Sequence, residues 1–131
     1  MTKPLSLERF PIHLGLGASA VPQPEFTGLE WYAAYAGRHA VDGSEGRLVQ
    51  VSTFSESWTS WERHPAGDEV VVALSGRQTL IQEVDGVQRR IELRAGQAVI
   101  NPRGVWHTAD VHEPGEALFI TPGRGTEHRP R

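Results

Sequence analysis

From Leu48 onwards, apolar and polar residues alternate in short runs, and a turn signal closes each run. The runs predict strands at Leu48–Phe54, Trp58–His64, Glu69–Ser75, Gln78–Val84, Val87–Leu93, Ala98–Asn101, Trp106–His112 and Glu116–Thr121. Asp85-Gly86 is a two-residue hairpin signal, because both positions of the tightest hairpin turn need φ > 0. Ala95-Gly96 and Glu113-Pro114-Gly115 mark further turns. Short strands at this spacing predict an all-β sandwich or barrel.

The N-terminal third reads differently. Residues 1–26 carry Pro4, Pro11, Pro22 and Pro24 and keep no sustained period, which predicts an arm lying across a sheet edge or a partner subunit. Thr27-Gly28-Leu29-Glu30 fits a capping box, and Trp31, Tyr32, Tyr35 and Ala36 recur at helical spacing. Together they predict one helix over Gly28–His39, with the loop Asp42–Gly46 after it. At the other end, Pro122–Arg131 sets Arg124, Arg129 and Arg131 against Glu127 and predicts a mobile or surface-draped tail. The expected organisation is one structural domain: arm and helix over 1–45, barrel over 46–122, polar tail over 123–131.

Composition narrows the chemistry. The chain of 131 residues has no cysteine, so disulfides, thiolate nucleophiles and cysteine zinc sites are excluded. A net charge of −3 gives no electrostatic basis for binding nucleic acid or an anionic membrane. No stretch approaches the ~18 apolar residues that span a bilayer. Ala18-Ser19-Ala20 has the look of a signal-peptidase site, but the segment before it is short and carries His13, Gly15 and Gly17. The expectation is a cytoplasmic protein.

The chemistry-bearing residues gather in two segments. Glu62 and His64 lie two apart, hence on one face of a strand, with side chains about 6 to 7 Å apart. Pro65-Ala66-Gly67-Asp68 is turn chemistry, and Glu69 opens the next strand. The second segment runs from Gly96 through Pro102-Arg103-Gly104 to His107. Two imidazoles and two carboxylates in matched strand–turn–strand settings suit one divalent transition metal. Alternation then sets Trp58, Ser60, Val71, Ala73 and Val105 around a small-molecule pocket, with Ala109 and Val111 on the face of His107. Arg103, in its turn, is placed to attract an anionic substrate at the mouth. Glu62 has two readings, a fourth ligand or the partner of an arginine there. Trp61, Val70, Val72 and Leu74 face outward and predict a homodimer. His13, His39, His112 and His128 lie outside this pattern.

The spacing His64-x4-Glu69-x6-Gly76 resembles the second half of the first cupin motif, and Gly96-x5-Pro102-x-Gly104-x2-His107 resembles the second. The resemblance covers about Leu48 to Pro122 and departs twice: Glu62 stands where cupins usually have histidine, and Val111 where they usually have asparagine. It implies a jelly-roll barrel and a mononuclear site of His64, Glu69 and His107, with Glu62 as a fourth or outer ligand and Fe, Mn or Zn as the metal. It also implies a small organic substrate handled by dioxygenase-, isomerase- or decarboxylase-type chemistry. The competing readings are a non-catalytic module that binds a small ligand, and a barrel whose metal site has decayed.

Overall fold

The computed structural model describes residues 3–131 and arranges their strands as two antiparallel sheets facing each other in a jelly roll. The first sheet contains β1 (Ile12–Gly15), β2 (Ser19–Pro22), β3 (Arg47–Phe54), β5 (Glu69–Ala73), β8 (Ala98–Asn101) and β10 (Gly115–Thr121), hydrogen-bonded in the order β2-β1-β3-β10-β5-β8. The second contains β4 (Ser60–Arg63), β6 (Arg77–Val84), β7 (Val87–Arg94), β9 (Trp106–Glu113) and β11 (Glu127–Pro130), in the order β11-β4-β9-β6-β7. Phe54, Val71 and Ala117 of the first sheet meet Leu80, Leu93 and Ala109 of the second in one buried cluster. Burying a side chain the size of Leu80 is worth about 2 kcal/mol, and this shared interior holds the sheets together.

Turn chemistry fixes the registers. Asp85 and Gly86 both take positive φ, 53° and 76°, and β6 and β7 pair without interruption from Arg77↔Arg94 to Val84↔Val87. Gly76 sits at φ 75°, and a Cβ there would lie 2.6 Å from the carbonyl oxygens of Glu113 and Pro114. Only glycine lets the end of β5 pass so close to the β9–β10 turn.

The ends of the chain differ from what the sequence predicts. The arm forms two strands of its own. β1 pairs with both β2 and β3; Pro11 precedes β1 and Pro22 is the last residue of β2, positions where a missing N–H costs least. Here Ile-His-Leu-Gly hides its strand character because the inward residue, His13, is polar. The helix α1 spans Glu30–Arg38 with Leu29 at its N-cap and no capping side chain, so the capping box does not form. Gly28, at φ 138°, turns the backbone away from helical geometry and separates Thr27 from the first turn. The C-terminal tail becomes β11, paired with β4 from Glu127↔Arg63 to Pro130↔Ser60.

His13 ties the N-terminal parts together. It is 1% exposed, its Nε2–H donates to the Asp42 carboxylate at 2.6 Å, and its Nδ1 therefore accepts from the Tyr35 hydroxyl at 2.6 Å. Its ring also stacks on His39 at 3.8 Å. β1, α1 and the 3-10 turn at Ala40–Glu45 thus share one buried polar node. Burial, followed by the charge of Asp42, pushes the Tyr35 hydroxyl up to about 12, so it remains a neutral donor.

Candidate metal centre

The two sheets bring four groups to one point. Glu62 on β4 sits directly opposite His107 on β9. His64 follows the end of β4, and Glu69 begins β5 on the facing sheet. The turn at Pro102-Arg103-Gly104 locks the two segments together: the Gly104 N–H donates to the His64 carbonyl at 3.1 Å, and the Arg103 N–H to the Asp68 carboxylate at 2.7 Å. Gly104 takes φ 71°, which explains the glycine in this turn.

One donor atom from each of Glu62, His64, Glu69 and His107 lies within 4.8 Å of the others. His64 Nε2 is 3.3 Å from Glu62 and 3.2 Å from Glu69, and His107 Nε2 is 3.4 Å from each carboxylate. Both Nε2 atoms are buried, and none of these contacts meets the geometry of a hydrogen bond. Two buried, unpartnered nitrogens facing two carboxylates are costly as a polar core and fit a cation.

The partners behind the rings set the tautomers. The single Thr126 hydroxyl proton goes to the Gly123 carbonyl at 3.0 Å, so Thr126 Oγ1, 2.9 Å from His64 Nδ1, accepts from it. His107 Nδ1 can only donate to the Val105 carbonyl, 3.4 Å away. In its neutral form each imidazole therefore turns a bare Nε2 lone pair toward the centre. Behind Glu69, Asn101 donates to Oε1 at 3.0 Å and Thr121 to Oε2 at 2.6 Å, while Gln82 steadies Asn101 at 2.9 Å. His128 reaches Glu62 Oε1 at 3.0 Å. No arginine pairs with Glu62 among the described residues, so its contacts are histidines.

Charge is tightly coupled here. Burial alone would lower His64, but the contacts and charge of Glu62 and Glu69 outweigh it and push the imidazole up to about 9. Burial likewise acts to raise Glu62, yet His107 and His64 hold it well below the usual carboxylate range.

A cavity of about 720 Å³ opens onto Glu62, His64 and Glu69. Its far walls are α1 and its N-cap, through Tyr32, Ala36 and Leu29, and β3, through Leu48 and Gln50. Trp58 lines it. The other pocket-wall expectations fall elsewhere. Val71 and Ala73 share the inward face of Glu69 but belong to the core, because the sheets close on each other deeper in the barrel. Ser60 lies in a shallow groove with Thr53–Thr59. Arg103 is exposed and, like Val105, does not line the cavity. Arg124 does.

Asn101, Thr121, Gln82, Thr126 and His128 were not singled out from the sequence. Alternation along β10 places Thr121 on the face of Ala117 and Phe119, and Asn101 pairs in register with Glu69. For Thr126 and His128, in a polar segment, no sequence signal exists.

The cupin domain model matches residues 49–121, more than half of the chain, and the protein belongs to that family. Solved structures with the same fold include a mutant of the Bacillus subtilis oxalate decarboxylase, with a TM-score of 0.56 and 18% identity over 72% of this chain and 26% of that one. An oxalate oxidase follows at 0.51 and 16%, over 61% of this chain and 44% of that one. A cupin-2 domain protein from Shewanella frigidimarina has a TM-score of 0.49 and 21% identity, over 65% of this chain and 71% of that one. Among curated proteins no sequence matches significantly. Among the described residues no helix is long and apolar enough to cross a membrane.

Proposed function

We propose that this protein holds one divalent transition ion on Glu62, His64, Glu69 and His107 and acts on a small organic molecule bound in the adjoining cavity. The observation that carries the reading is the pair of buried, unpartnered Nε2 atoms facing two carboxylates. Carboxylate oxygens beside imidazoles favour Fe, Mn or Zn over Cu. When bound, such an ion supplies Lewis acidity and, for Fe or Mn, a redox couple, which suits dioxygenase-, isomerase- or decarboxylase-type reactions.

The chain's own residues do the rest. Asn101 and Thr121 fix both oxygens of Glu69. The apolar wall of Leu48 and Phe119 keeps water from the organic part of a ligand. Two carboxylates balance a divalent charge, so an anionic substrate group is left to Arg124 in the cavity wall. Protein purified without chelator or nickel resin should carry one Fe, Mn or Zn per chain, lost in His64→Ala and His107→Ala. Turnover of a panel of small organic acids and alcohols then separates an enzyme from a capture module, which binds its ligand and forms no product. Full metal content in the His64→Ala, His107→Ala double variant would overturn the assignment.

We also propose a homodimer, through a smaller face than the sequence predicts. Trp61 lies on the second sheet, where β11 covers it: Arg129 stacks 5.3 Å above the ring, which is 8% exposed. Val70, Val72 and Leu74 lie on the outer face of the first sheet, beside Ile100. Leu74 is 47% and Ile100 58% exposed, so this face is the one a second copy buries. A monomer mass by light scattering, constant across micromolar concentrations, would rule the dimer out.

A further inference from the structure

We propose that the C-terminal segment from Gly123 to Arg131 is a latch that completes the metal centre, with Thr126 fixing the tautomer of His64 and His128 orienting the carboxylate of Glu62. This rests on the reading of Glu62, His64, Glu69 and His107 as metal ligands. The segment lies beyond residues 49–121, where the cupin match ends.

Its seating is specific. β11 adds to the free edge of β4, and His128 falls directly opposite Glu62 in that register. Arg63 pairs with Glu127 at 2.8 Å and Arg129 with Glu83 at 2.6 Å, on the face away from the cavity. The last residue closes the seam: Arg131 donates to the carbonyls of Trp58 at 3.1 Å and Ala109 at 3.2 Å. These contacts leave Thr126 and His128 in the cavity wall.

Each has a defined task there. Thr126 spends its proton on Gly123 and can only accept from His64, so it forces the proton of a neutral His64 onto Nδ1 and frees Nε2. His128 answers the departure at Glu62. A carboxylate on two methylenes has more torsional freedom than the imidazole usual at this position, and it ligates well only if tethered. His128 holds Oε1 at 3.0 Å, which leaves Oε2 facing His64 and His107 at 3.3 and 3.4 Å. The histidine absent from the motif is thus replaced by a pair: a carboxylate at the site and a histidine behind it.

The test uses the full-length protein, stripped of metal and titrated with Co²⁺ and with Mn²⁺ against a chromogenic chelator. Thr126→Val and His128→Ala should each weaken binding by about tenfold or more, the usual effect of losing a partner behind a ligand. The visible bands of the Co²⁺ form should shift in both. Thr126→Ser, which restores the hydroxyl, should bind within about twofold of wild type, and Gln88→Ala, exposed on β7 and outside both the latch and the site, should leave the bands unchanged. His128 is exposed, so its replacement leaves the fold intact even if Thr126→Val does not. Wild-type affinity and wild-type bands in His128→Ala and Thr126→Val overturn the latch while leaving the metal centre standing. A wild-type protein that binds neither ion overturns both.

Discussion

At the scale of single residues, Glu62 has most to decide. It sits within 3.4 Å of both candidate imidazoles while another histidine holds its second oxygen. Glu62→Gln keeps the shape and removes the charge, so metal affinity should fall by less than in His64→Ala. Glu62→His should move preference toward softer ions such as Cu. Competition titrations with Mn²⁺, Zn²⁺ and Cu²⁺ check both. The same cluster sets a pH dependence in the metal-free protein. His64, raised from 6.5 to about 9, contributes stability that is full below about pH 6.5 and lost as pH climbs through about 9. Glu62, depressed below 4.5, contributes stability present above that value and lost in strong acid. Melting temperature should therefore fall between pH 6.5 and 9, and His64→Ala should flatten that slope. Metal competes with the same proton, so affinity should rise over the same interval. His64, Glu69 and His107 were legible because each sits at a fixed offset from a glycine or proline turn. The residues behind them were not, since a lone threonine or asparagine carries its meaning only once its neighbours are placed.

At the scale of elements, legibility followed turn chemistry. The β6–β7 hairpin is written in Asp85-Gly86, and its register came out unbroken. β11 is written nowhere in its own residues: Glu-His-Arg-Pro shows no apolar alternation, and the strand exists because β4 offers an unpaired edge and Arg63 and Glu83 offer counter-charges. The helix start failed for a related reason, a glycine whose φ outweighs a local capping pattern. Gly76 carries the sharpest prediction for an element. Gly76→Ala places a methyl group against two backbone carbonyls at a positive φ, and should cost more than about 2 kcal/mol or prevent folding. Urea denaturation measures it, and the same substitution at Gly86, where nothing lies within 4 Å, should cost less.

At the scale of the whole molecule, the barrel was legible because its strands and turns agreed with one another. The outer surface was less so. Alternation assigned Trp61 and Val70 alike to the outside, but they lie on opposite sheets, and only the side of Val70, Val72 and Leu74 remains open. If the proposed dimer forms through that face, Leu74→Glu should yield monomer in sedimentation experiments, whereas Trp61→Ala should leave association unchanged.

The proposed ligands come from both sheets: Glu62, His64 and His107 belong with the β4 and β9 side, and Glu69 stands on β5 opposite. An ion held among them is a rivet through two walls, and it cannot leave without either slipping out through the cavity or parting the sheets. Release to excess chelator should accordingly be slow and steeply temperature-dependent. Its rate should rise in Leu80→Ala, which loosens the shared interior without touching the site.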